Sequence, residues 1–223
     1  MMQSLGKITE ELINRSPFLR EAMAENLINI SSLARKLKPE IEEICKKEVN
    51  EGAIVMAIKR MPPGYYHQLE LKIKNVMGEI GDLLVRSNLA DFTFKNSDTL
   101  KEQQSRLMNM LNKENDSFFT ICHGITETTF IVSSNHIDTI NDLFKDEKLT
   151  SHSKNLASVS VKLPPINSEL HGIYYYLLKH LAWEGINIIE IVSTSNEFTT
   201  VVSQVDIDRA FTILMKLKRD NSL

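Results

Sequence analysis

The residues best suited to metal or proton chemistry are the six histidines at 67, 123, 136, 152, 171 and 180, and none forms a close pair with a carboxylate at metal-ligand spacing. Cys45 and Cys122 have no partner cysteines at the spacing of a zinc cluster or a disulfide framework, so both read as buried thiols in a reducing compartment. The chain contains no glycine-rich phosphate loop, no nucleophile elbow and no readable pair of catalytic carboxylates. Tyr174, Tyr175 and Tyr176 are consecutive on a predicted helix and point three ways, which suits core and interface packing better than a stacking platform. The expectation is a protein with no catalytic residues, no bound metal and no cofactor.

Composition frames that expectation. With 223 residues, 42% of them hydrophobic, the chain can bury a real core and make one large or two small domains. Its 26 basic and 29 acidic residues leave a net charge of −3, which does not advertise a polyanion partner. The first residues, MMQSLGKITEELINRSPF, lack an apolar signal-peptide core, and no window reaches a membrane span, so the expected location is cytoplasmic.

The elements come next. From Ser4 to about Met61 the apolar spacing is helical, with Ile8, Leu12 and Ile13 on one stripe and Ile30, Leu33, Ala34 and Leu37 on another. Asn29 or Ser31 is the N-cap of the second stripe, Pro39 is read as ending that helix or opening the next, and a further helix is predicted over Asn50–Met61. The breaker cluster MPPGYYHQ, residues 61–68, marks the domain boundary. Beyond it, alternation at Leu69, Leu71 and Ile73 and again at Leu89, Phe92 and Phe94 predicts half-buried strands. A helix over 97–115, capped by Ser97, follows. The remainder repeats an order: a strand pair (SFFTICHG, TETTFIVSS), a helix (NHIDTINDLFKDE), a strand (KNLASVSVKLP), a helix over 172–184, a second strand pair (INIIEIVST, NEFTTVVSQ) and a last helix (DIDRAFTILMKLK). Two such units each form an α+β layer of helices over one face of an antiparallel sheet.

The second unit, Leu156 to Leu217, resembles an ACT domain, and more narrowly the second of the paired ACT domains at the C-terminus of aspartate kinases. The residues that carry the resemblance are NLASVSVKLP and GIYYYLLKHLAWEGINIIEIVSTSNEFTTVVSQVDIDRAFTILMKL. The stretch FFTICHGITETTFIVSSNHIDTINDLF resembles the matching half of the first ACT domain. Together the two cover about 130 residues of the chain. Nothing corresponds to the kinase catalytic domain, and His171 precedes Gly172 where the family usually shows proline. The implied fold class is α+β: a helical N-terminal domain (1–66), then tandem ferredoxin-like βαββαβ ACT domains over 67–154 and 155–223.

A free amino acid needs backbone amides for its carboxylate and carbonyl or carboxylate oxygens for its ammonium, and a loop feeding a helix N-terminus supplies the amides. The resemblance implies a ligand between ACT domains, against such a loop. Carried over by position, the first unit offers Asn96, Ser97 and Asp98 with Thr126 and Glu127. The second offers Asn167, Ser168, His171 and Gly172 with Asn187.

The function this implies is a non-catalytic regulator that senses a small ligand, a free amino acid, as a homodimer or higher homo-oligomer, with its helices either serving a protein partner or bracing the dimer. Two alternatives stand beside it. One is a ligand-responsive transcriptional regulator whose N-terminal winged helix binds DNA, with residues 30–61 as the helix-turn-helix and ELKIKNV as a wing strand; the other is an aspartate-kinase-like regulatory subunit. Residues 30–61 hold seven basic side chains (Arg35, Lys36, Lys38, Lys46, Lys47, Lys59, Arg60) against five acidic ones (Glu40, Glu42, Glu43, Glu48, Glu51), a thin surplus for DNA. No membrane partner is expected.

Overall fold

A computed structural model of the chain describes residues 4–61, 65–111 and 118–222. It divides into two compact units, Met1–Lys74 and Asn75–Leu223.

The first unit is helical: α1 (Leu5–Asn14), α2 (Pro17–Ala24), α3 (Ile30–Cys45), α4 (Glu51–Lys59) and most of α5 (Tyr65–Gly78). Short polar side chains start three of these helices by accepting from orphan backbone amides. Ser4 takes Lys7 N at 3.3 Å, Asn29 takes Ser32 N at 3.0 Å, and Asn50 takes Gly52 N at 2.8 Å. The core joins Ile8, Leu12 and Ile13 of α1 to Leu33, Ala34, Leu37 and Ile41 of α3 and to Ile54 and Ile58 of α4. Each such aliphatic side chain contributes about 1.5–3 kcal/mol on burial.

Two expectations are corrected here. Pro39 neither ends nor opens a helix but lies inside α3, because the buried stripe continues through it to Ile41, and that packing outweighs the roughly 3 kcal/mol a helical proline costs. Residues 69–73 are not a strand, and ELKIKNV is not a wing. They form α5, whose buried Ile73, Val76 and Met77 follow helical spacing while Leu71 is half exposed. Alternation over only five residues fits either period, and helix formers such as Glu70, Lys72 and Lys74 tip the balance. The α3–α4 link, residues 46–50, is longer than a helix-turn-helix turn and includes left-handed Lys46. Arg15, Arg20, Arg35 and Lys38 each pair with a glutamate. Pro62, Pro63 and Gly64, the heart of the breaker cluster, lie outside the described residues, as does the predicted end of the 97–115 helix.

The second unit runs β1 (Leu83–Lys95), α6 (Leu100–Leu111), β2 (Phe119–His123), β3 (Glu127–Ser133), α7 (Ile137–Leu143), β4 (Leu149–Lys162), α8 (Ile173–Trp183), β5 (Ile188–Ser193), β6 (Glu197–Ser203) and α9 (Ile207–Asn221). Its strands form one antiparallel sheet in the order β2-β3-β1-β4-β6-β5. Two ferredoxin-like halves share this sheet, because its two central strands are long enough to serve both. In the first half, residues 91–94 of β1 pair with 149–153 of β4; in the second, residues 83–86 of β1 pair with 158–161 of β4. The sequence boundary at 154/155 falls in the middle of β4. Asn88 and Asn155, both left-handed at φ 56°, stand at the register shifts where each strand passes from one half to the other.

Strand alternation sorts the side chains. Ala90, Phe92, Phe94, Phe130 and Val132 pack under α6 and α7 with Leu100, Leu107, Leu111, Ile140 and Phe144. On the opposite face, Leu89, Ile131, Leu156 and Val201 are buried together, with Phe118 from the β2 edge and Ile189 and Val192 from the β5 edge packed on them. Both sheet edges therefore reach one cluster, so the sheet curls until its halves cover each other's free face.

Candidate functional site

The two halves place equivalent loops between the end of a central strand and the start of a helix. In the first, Asn96 is the organiser. Its backbone N–H donates to Thr126 O and its side-chain amide to Gly124 O, both at 2.9 Å, while its Oδ1 accepts from Thr128 Oγ1 at 2.6 Å. The loop is thereby tied to the β2–β3 hairpin, and Asn96, Thr126 and Glu127 come together as the sequence positions implied. Ser97 Oγ accepts from Leu100 N at 3.0 Å at the start of α6 and donates to Glu147 Oε2 at 2.6 Å; Thr99 Oγ1 donates to Glu147 Oε1 at 2.6 Å. A carboxylate is thus held by two hydroxyls beside a helix N-terminus, where the helix dipole favours negative charge. Asp98 and Glu127 are exposed, and the backbone carbonyl of Glu127 accepts from Gly124 N at 2.8 Å.

In the second half, Asn167 has the organising role. It is buried, and its side-chain amide donates to Pro164 O and Ser195 O, both at 2.8 Å, while Leu163 N donates to Asn196 O. These bonds repeat, at the β5–β6 hairpin, what Asn96 does at the β2–β3 hairpin. Gly172 sits at the N-cap of α8 with φ 83°, a left-handed conformation in which a Cβ is costly, and exposed His171 precedes it. Ser168 lies in the same short turn, and its side chain is outside the described part of the chain. Asn187 is placed apart from these. It follows the C-terminus of α8, an 11-residue helix, which puts it about 16 Å along the axis from Gly172.

Sequence reasoning missed Glu147, Thr99 and Thr128. Glu147 meets Ser97 from 50 positions away and carries no local signal. The halves also share a partly buried hydroxyl pair: Thr93 Oγ1 and Thr129 Oγ1 at 2.9 Å in the first, Ser160 Oγ and Thr199 Oγ1 at 2.7 Å in the second.

Three ionisable groups of the sheet strands are perturbed. Burial, and then the carboxylate of Asp91, raise the pKa of Glu190; burial, and then Glu190, raise that of Cys122. Asp91 Oδ1 accepts from Ser153 N at 2.7 Å beside the β4 register shift. Burial, and then Lys154, lower the pKa of His152 against a weaker opposing pull from Asp91, and its ring stacks on Phe92 at 4.0 Å. No group of three or more acidic, histidine or cysteine side chains suited to a metal ion occurs among the described residues, and no described helix is long and apolar enough to cross a membrane.

No protein-family model matches the sequence, and no curated protein is recognisably similar to it. The fold does have relatives of known structure. The ligand-free regulatory subunit of aspartate kinase from Thermus thermophilus is 10% identical with a TM-score of 0.50, over 62% of this chain and 97% of that one. The aspartokinase alpha and beta subunits are 14% identical at TM-score 0.50, over 63% and 99%. The aspartate kinase of Clostridium acetobutylicum, an allosteric enzyme, is 15% identical at 0.51, over 62% of this chain and 34% of its own length. At these identities the likeness is one of fold: the curled six-stranded sheet with its helices has the tandem ACT arrangement found in the regulatory part of aspartate kinases.

Proposed function

We propose that this chain is a non-catalytic regulatory protein that senses a free amino acid through its paired ACT-like halves. The observation that carries the reading is the shared fold with a separate regulatory subunit, which this chain matches over 97% of that subunit's length. The local chemistry supports it. The loop before α6 already cradles one carboxylate, that of Glu147, on Ser97 and Thr99, and exposed Glu127 on the adjoining hairpin is suited to an ammonium group. A ligand seated there acts by linkage: it shifts the arrangement of the halves only as far as its affinity differs between arrangements.

The output belongs to the helical unit and is assigned to a protein partner in the cytoplasm. Phe18 and Leu27 leave 60% and 72% of their surfaces exposed there, which suits an apolar contact better than a phosphate backbone. The edge strands β2 and β5, each paired on one side only among the described residues, support assembly into a homodimer or larger homo-oligomer.

A thermal-shift panel of the twenty free amino acids at millimolar concentration tests the reading. An effector at about 100 times its Kd adds roughly 2.7 kcal/mol, a rise of a few degrees for a chain of this size. Glu127→Ala weakens binding about tenfold and leaves the unliganded melting temperature in place. A flat panel would sink the sensor reading, and unchanged affinity in Glu127→Ala would move the site elsewhere.

A further inference from the structure

Away from the helix-start loops, at the other end of α8, lies an open surface hollow of about 360 Å³ lined by Glu184, Asp208, Arg209, Thr212, Ile213 and Lys216. Its size is at the small end of ligand sites, suited to a metabolite. Its chemistry is of both signs. Arg209 is spent on structure: one guanidinium nitrogen donates to Asp206 at 3.0 Å and another to the carbonyl of Glu184, where it neutralises the negative C-terminal end of α8. The side chains of Glu184, Asp208 and Lys216 are exposed and form no ion pair with any other described residue, and Ile213 with the methyl of Thr212 supplies an apolar wall.

We infer that this hollow is a second ligand site, separate from the loop before α6, and that it takes a small zwitterion. Lys216 receives the carboxylate, Glu184 and Asp208 the ammonium, and Ile213 the side chain. Two acids and one cation lining the same hollow favour a ligand that carries both charges over a simple anion, which Glu184 and Asp208 repel, and over a simple amine, which Lys216 repels. Arg209 ties the C-terminus of α8 to the start of α9 and so fixes the backbone that carries Glu184 and Asp208.

Calorimetric titration of the full chain with each of the twenty free amino acids, up to millimolar concentration, tests the inference. Expected is a saturable component that Lys216→Met and Glu184→Gln each weaken about tenfold, that persists in Glu127→Ala while the component of the first site weakens, and that is lost when the same amino acid is N-acetylated. The three residues are exposed, so the variants keep their circular dichroism and melting temperature, and the single tryptophan, Trp183, sits next to Glu184 as an emission reporter. Isotherms identical to wild type in both Lys216→Met and Glu184→Gln would overturn the second site while leaving the first untouched; no isotherm for any amino acid would overturn it as well.

Discussion

The first and second halves of the sheet unit solve the same local problem with different materials. Each must tie the loop between a central strand and a helix to the neighbouring hairpin, and each does so with an asparagine: half-buried Asn96 bridging to Gly124, Thr126 and Thr128, and buried Asn167 bridging Pro164 to Ser195. The difference lies in the helix start. The first half caps α6 with Ser97 and adds the Glu147 carboxylate on exposed hydroxyls; the second starts α8 on a left-handed glycine and keeps its polar side chain inward. An exposed, charge-holding loop is free to exchange one carboxylate for another, whereas a buried, neutral one is fitted to hold shape. On the proposed reading the helix-start loop of the first half is the one suited to exchange a ligand, and the helix-start loop of the second half is the one suited to hold shape.

The largest effect that would break this contrast is at Asn167. Asn167→Ala leaves two carbonyls without their buried donor and lowers stability by about 2–3 kcal/mol, read by urea denaturation, whereas Asn96→Ala in its more exposed setting costs about 1–2 kcal/mol. Equal losses would show that the two loops are equally structural. Next comes Gly172→Ala, which places a Cβ at φ 83° and costs about 1 kcal/mol in the same assay. A neutral result there would mean that the α8 start relaxes freely. Smaller still is Glu147→Ala, whose contacts lie at the surface: its stability cost is under about 1 kcal/mol, and its informative readout is ligand affinity, expected to tighten once Ser97 and Thr99 are vacant.

The smallest effect depends on pH. Where the first half sets Thr120 opposite Ile131, the second sets Glu190 opposite Val201. With its pKa raised from 4.5 by burial and by Asp91, Glu190 binds a proton more readily in the folded chain than in the unfolded one. Its contribution to stability is thus fully present below about pH 4.5 and is lost as pH rises through the folded value. Glu190→Gln should raise the melting temperature at pH 7.5 and leave it nearly unchanged at pH 4. A larger gain at the acidic end would reverse the sign and place the charge cost elsewhere.

Much of this architecture is readable from periodicity. The α3 and α4 stripes, the N-cap of α3 at Asn29 or Ser31, both hairpins and the repeat of strand pairs and helices are local patterns, and the fold contains each, with Asn29 as the cap. The site is less readable. Only the family resemblance points to Asn96 and Thr126 together; in the fold the Asn96 N–H donates to Thr126 O at 2.9 Å. Nothing local links Ser97 to Glu147 or separates Asn187 from Gly172, since both facts depend on how far a helix carries the chain before it returns.

By itself, then, the sequence determined most helix and strand positions, which faces are apolar and that a unit recurs, because capping, breaker residues and hydrophobic period act over a few neighbouring positions. Tertiary structure alone decided that Leu69–Ile73 is helical, that α3 runs through Pro39, that β1 and β4 serve both halves of one curled sheet, and which carboxylate sits on Ser97 and Thr99. Each of those outcomes is set by burial or by a bond between residues far apart in the chain, and such energies exceed the modest local preferences they override.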